Sequence, residues 1–131
     1  NEPVDLNFIS LIGVVMTFTG IVIESIADFQ MSKFKLISNN KGKLMDKGLW
    51  QFSRHPNYFG DSLFWWGIFI FSYSCTSNLL IVISPIIMTY FLMKVSGVTL
   101  LERQLRYKKE GYEEYINNTS SFILMPKKNK K

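Results

Sequence analysis

Apolar residues in this chain gather into three blocks, and the charged residues fall between and after them. The first block covers residues 6–27, LNFISLIGVVMTFTGIVIESIA. It reaches the roughly 20 residues that a helix needs to cross a bilayer, and its single charge, Glu24, comes near the end. A signal peptide needs a basic start and a short apolar core. This segment follows Glu2 and Asp5 and its apolar run is long, so a spanning helix is expected. The second block, residues 57–73 (NYFGDSLFWWGIFIFSY), is near the lower length limit for a span, and Trp65 and Trp66 read as interfacial anchors or packing residues. The third, residues 79–101, contains Pro85, which predicts a kink that membrane helices tolerate. It also holds the small pair Ser96 and Gly97, suited to close helix contact. Only SYSCTSN separates blocks two and three, which predicts an antiparallel hairpin.

Composition adds little until its distribution is considered. With 131 residues, 47% hydrophobic, 15% aromatic and net charge +5, the chain has the bulk make-up of a soluble basic protein. The placement of charge says otherwise. Lys33, Lys35, Lys41, Lys43, Lys47 and Arg54 crowd residues 33–54 against Asp46 alone. Arg103, Arg106, Lys108, Lys109 and the terminal lysines follow the third, while residues 74–78 carry no charge and the start carries only acids. The positive-inside rule puts the long loop and the tail in the cytosol, which three spans satisfy. The expected fold is therefore all-α: about three transmembrane helices plus a cytosolic amphipathic tail, as a single membrane domain over residues 1–131. A start at Asn1 leads us to expect the carboxyl-terminal part of a longer protein.

Several function classes drop out. The basic residues flank spans, as topology demands, so nucleic acid is not an expected partner. The final PKKNKK reads as a solvated end or an attractor of anionic lipid. Cys75 is the only cysteine and His55 the only histidine, so neither a disulfide nor a cysteine or histidine metal site is expected. Neither GxGxxG nor GxxxxGK[ST] occurs.

The candidate chemistry lies in GLWQFSRHPNYFGD, residues 48–61. Pro56 biases His55 toward an extended backbone and itself suits the first helical turn, so Arg54 and His55 precede a helix start. Free N–H groups there attract anions, and Arg54 adds a bidentate phosphate donor. Asn57 and Asp61 are four apart and share a helix face, and Tyr58 lies between them. Polar chemistry at a bilayer edge is costly, which favours a ligand role for the cluster. Two further sets sit at the same membrane surface: Glu24 and Asp28, with Lys35 one heptad beyond Asp28, and Glu102 with Arg106 in the favourable acid-first order. Their convergence predicts a polar cavity between helices.

The motif GLWQFSRHPNYFGD, the following WWG, SPIIMTYFLMKVSGVTLLE, GYEEYINNTSSFI and ESIADFQMSKFK together resemble the DUF1295 group of the steroid 5-alpha-reductase superfamily, over residues 20–126. Sterol reductases of the lamin-B-receptor type share a similar RHPNY element, and isoprenylcysteine methyltransferases a looser one. The resemblance implies a multi-span membrane oxidoreductase that uses NADPH to reduce a carbon–carbon double bond in a steroid or other lipid. In a eukaryote the endoplasmic reticulum would be expected. It implies that Asn57, Tyr58 and Asp61 line the cofactor cavity with His55 beside them. It makes Arg54 and Arg106 phosphate contacts and puts Asp28 and Glu102 near the nucleotide. Arg106 departs from the aromatic residue that related steroid reductases carry about there. No catalytic acid is assigned. Two alternatives stand beside this reading: an S-adenosylmethionine-dependent methyltransferase and a non-catalytic membrane scaffold. The tail, residues 112–122, is expected to lie against the cytosolic mouth of the helices and close over the cofactor.

Overall fold

The computed structural model describes residues 6–95, 98–106 and 108–128, and every regular element among them is helical. Helix α1 runs Phe8–Leu36, its start capped by Asn7, whose side chain accepts from the Ser10 N–H at 2.9 Å. This caps one of the four N–H groups that a helix start leaves unpaired. A loop with short 3-10 turns at Ser38–Asn40 and Gly48–Gln51 leads to α2, Pro56–Thr76. Pro56 occupies the first helical position as expected, where a missing N–H costs nothing.

The third apolar block is a series of tighter and looser turns: a 3-10 turn at Leu79–Val82, α3 at Ile83–Tyr90, a π-helical turn at Phe91–Val95, and α4 at Val98–Arg106. Pro85 falls in the first turn of α3 and is fully buried. The winding of this block therefore changes twice, from 3-10 to α two residues before Pro85 and from α to π at Phe91. The Ser96–Gly97 pair lies outside the described residues. A final helix, α5 (Tyr112–Asn118), follows Gly111, which turns the chain with φ 78°.

Two stretches are long and apolar enough to cross a membrane, Phe8–Leu36 and Leu79–Arg106. Only 17% and 12% of their most apolar windows are buried inside the protein. A core helix of a soluble protein would be mostly covered, so their exposure argues for a lipid environment. Helix α2 has the length, at 21 residues, but its hydroxyl-rich, aromatic sequence is less apolar and does not meet the same standard. Of the three expected crossings, two are thus supported by length and composition.

What decides the place of α2 is its contact with α1. Gly13 and Gly20 of α1 face Gly67 and Gly60 of α2, each pair one heptad apart and running in opposite directions. A Cβ on Gly20 would stand 2.5 Å from the Gly60 carbonyl oxygen and from the Phe64 nitrogen. A Cβ on Gly13 would meet the Phe71 nitrogen at 2.5 Å, and one on Gly67 the Thr17 nitrogen at 2.5 Å. The two backbones touch along a seam that side chains barely enter, Thr17 Oγ1 and Glu24 Cβ being the side-chain atoms against its glycines, a contact typical of helices that pack in lipid. The expected hairpin of α2 with the third block also forms. Thr89 of α3 takes a hydrogen bond from Trp66 Nε1 at 3.0 Å and shares one with Ser62 at 3.0 Å. Trp66 is therefore a packing residue here.

Candidate functional site

The residues of the 48–61 motif owe their positions to partners on both sides of the loop. On the α1 side, Gly48 (φ 60°) packs against the Gln30 side chain, which accepts from the Leu49 N–H at 2.9 Å. Trp50 is buried with Ala27 and Met45 and donates through Nε1 to the Ala27 carbonyl at 3.0 Å. On the other side lies the tail. Tyr115 donates its hydroxyl to the Trp50 and Ser53 carbonyls. Ser53, fully buried, donates to the Phe122 carbonyl at 2.7 Å and accepts from the His55 N–H at 3.1 Å. Backbone bonds from Arg54 to Ser120 (2.8 Å) and from Met125 to Phe52 (3.0 Å) complete the join.

This corrects the expectation for residues 112–122. They brace the loop from behind, and none of them lines the cavity described next. Burial pushes the Tyr112 hydroxyl up to about 12, with the Glu102 charge adding to it, and raises Tyr115 further, with Tyr112 beside it. Both phenols therefore stay neutral donors at physiological pH.

In front of the braced loop lies a cavity of about 460 Å³. Its wall takes Asp28, Met31, Ser32 and Lys35 from α1 and Trp50, Arg54 and His55 from the loop. Asn57 and Tyr58 come from the first turn of α2, Leu101 and Leu105 from α4, and Lys109 from the segment after it. Five of the site residues expected from the sequence, Asp28, Arg54, His55, Asn57 and Tyr58, thus share one wall, and Lys35 returns to it as its spacing implied. His55, 3% exposed, stacks on Tyr58 with ring centroids 5.6 Å apart and planes at 9°.

Glu102 joins the site by a route that helix spacing does not show. It leaves Arg106 unpaired with it and instead ion-pairs Arg54 Nη1 at 2.5 Å, with His55 Nε2 at 3.4 Å. Glu102 thus takes up Arg54 Nη1, while Arg54 Nε is buried without a hydrogen-bond acceptor. Asn57 Oδ1 is likewise buried with no donor. Such groups cost free energy until they are paired, and two residues on one cavity wall carry them.

Two expected site residues fall elsewhere. Arg106 is half exposed and reaches Glu113 at 3.9 Å, outside the cavity, because α4 lines the cavity with Leu101 and Leu105. Asp61 does not line the cavity; one turn into α2, it sits within electrostatic reach of Glu24, which also feels Asp28. Lys109, Leu105 and Leu101 were missed. The spacing of four between Leu101 and Leu105 was an available signal, since it marks one helical face, whereas Lys109 lies past the end of α4 and carried none.

Comparison with known proteins agrees with this picture. The family described as "Protein of unknown function (DUF1295)" matches residues 1–119. A curated relative, Delta(14)-sterol reductase of Ascobolus immersus, is 32% identical over 127 residues, covering 86% of this chain. The chain spans only 27% of that relative's length. No solved structure matches. With the family match running through both supported apolar helices, the site loop and α5, the chain belongs to the DUF1295 family and counts a sterol reductase among its relatives.

Proposed function

We propose that the cavity binds NADPH and that the full-length protein is a multi-pass membrane reductase acting on a carbon–carbon double bond of a steroid or related lipid. The observation that carries this reading is the make-up of one wall. A guanidinium with an unpaired buried Nε (Arg54), an amide with an unpaired buried oxygen (Asn57) and two lysines (Lys35, Lys109) surround a space of about 460 Å³. These donors fit a phosphorylated dinucleotide: cations for its phosphates, Asp28 and Asn57 for its hydroxyls and carboxamide, and Trp50 and Tyr58 for its rings. When bound, the cofactor supplies the hydride.

The chain's own residues then bind and orient. Glu102 holds Arg54 and His55 in place, and His55 fixes the plane of the Tyr58 ring through stacking. Helix α2 shares the crossing with α1, because the glycine seam binds the two backbones along most of the length of α2.

The surplus of cations weighs against S-adenosylmethionine, whose sulfonium is itself positive and has no phosphate for them to bind. The test is thermal stabilisation of full-length protein by NADPH, NADH and S-adenosylmethionine. NADPH is expected to raise Tm most; stabilisation by S-adenosylmethionine alone would overturn the reading.

A further inference from the structure

A second cavity, about 380 Å³, lies beside the first and shares Lys35 and Lys109 with it. Its wall adds Lys41 from the turn after α1, with Phe34 and Ile37 as the apolar part. Three lysines thus line one space, and no acidic residue lines it. Among the described residues none of the three makes an ion pair. Lys109 is tethered there, its Nζ donating to the Lys43 carbonyl at 2.9 Å. Partial burial and the nearby Lys35 hold its ammonium below the ordinary lysine range. Uncompensated like charges in a concave site repel one another, and an anion relieves that repulsion.

The surface next to this cavity indicates which anion. Val22, Ile26 and Phe29 are all exposed on α1 and lie on one face. Lys33 continues that face with its ammonium 4.9 Å above the Phe29 ring. Leu36, 84% exposed, ends it, and Ile37, 54% exposed, lies both on the surface and in the cavity wall. An apolar stripe that begins in the membrane-crossing part of α1 therefore runs up to the rim of a basic cavity.

We propose that this cavity is a binding site for an anionic phospholipid. Its headgroup phosphate is held by Lys35, Lys41 and Lys109, and its acyl chain lies along the stripe that ends at Leu36 and Ile37. Neither a free phosphate nor the phosphate of a nucleotide accounts for the exposed aliphatic rim, and a zwitterionic lipid does not match the charge. The site shares Lys35 and Lys109 with the proposed cofactor cavity, whereas Lys41 and Ile37 line it alone, so those two residues separate the two readings.

The experiment compares dioleoyl phosphatidylglycerol, dioleoyl phosphatidylcholine and inorganic phosphate added to full-length protein in neutral detergent, read by thermal shift and by native mass spectrometry. Phosphatidylglycerol is expected to stay bound and raise Tm, and the other two are not. Lys41→Gln, a change at an exposed residue, weakens phosphatidylglycerol binding about fivefold, the value of one lysine at an anionic surface. It leaves the NADPH response unchanged. Ile37→Ser weakens lipid binding without touching a charge. Equal stabilisation by phosphatidylcholine would overturn the proposal, as would full stabilisation by inorganic phosphate. A Lys41→Gln variant that keeps its lipid binding, or that loses NADPH binding to the same degree, would overturn it as well.

Discussion

The α1–α2 seam and the loop that leads into α2 adjoin each other, yet they are completed in opposite ways. In the seam, backbone meets backbone at Gly13, Gly20, Gly60 and Gly67, and there is no room for one added carbon. In the loop, alternate residues differ. Trp50 and Ser53 point their polar groups at protein partners, and each is paired. Arg54, just beyond, keeps a buried Nε without an acceptor, and Asn57 one oxygen without a donor. The seam is finished by the chain itself; the loop is finished only on its rear side. The difference separates residues that hold the architecture from residues that await something else, and it does so by pairing and not by residue type, since Arg54 and Ser53 are neighbours.

The largest effect is expected in the seam. Gly20→Leu places a side chain where a Cβ alone would be 2.5 Å from the Gly60 carbonyl, and overpacking of a tight contact costs about 1–3 kcal/mol or more. Loss of folded protein, read by detergent-extracted yield and Tm, is the outcome; a variant with unchanged Tm would mean that the seam has slack. Next comes Arg54→Ala. A charge-assisted contact contributes about 1.5–3 kcal/mol, so NADPH affinity should fall roughly 10- to 150-fold while the fold survives. Unchanged affinity would remove Arg54 from the unfinished side of the loop.

Tyr115→Phe probes the finished side. It leaves the Trp50 and Ser53 carbonyls without their donor, a loss of about 1–3 kcal/mol in stability, with a smaller effect on cofactor binding. The same bracing gives a pH signature. The folded hydroxyl of Tyr112 lies at about 12, above its ordinary value of 10.0. A raised pKa contributes stability that is fully present below the ordinary value and is lost as pH rises through the folded one. Stability should thus hold to about pH 10 and decline toward pH 12, which a Tm series in pH would show. The smallest effect belongs to Arg106→Ala. An exposed pair at 3.9 Å contributes about 0–1 kcal/mol, and NADPH affinity should stay within twofold. A large loss would put Arg106 back in the site.

Much of this was legible from residue order. Block lengths showed the helices, because crossing a bilayer requires about 20 apolar residues in sequence. Pro56 marked the start of α2, because a proline after a polar pair is a local signal, and the RHPNY segment lines the candidate cavity through Arg54, His55, Asn57 and Tyr58. Lys35 was found by its spacing from Asp28. By contrast, the spacing of four between Glu102 and Arg106 was misleading. A four-residue interval places two groups on the same face, but it does not say whether a stronger partner waits across the bundle, as Arg54 and His55 do for Glu102.

What the sequence determined by itself was the set of local properties: which segments are apolar, where helices begin, and which residues carry chemistry. Tertiary structure decided the rest. It turned glycines 13, 20, 60 and 67 into one seam, set the tail behind the loop and not over the cavity, and chose Lys109 over Arg106 for the wall. The physical reason is that each of these rests on contacts between residues distant in the chain, up to Phe52 with Met125. Such contacts depend on how the helices pack, a property that no spacing along one helix encodes.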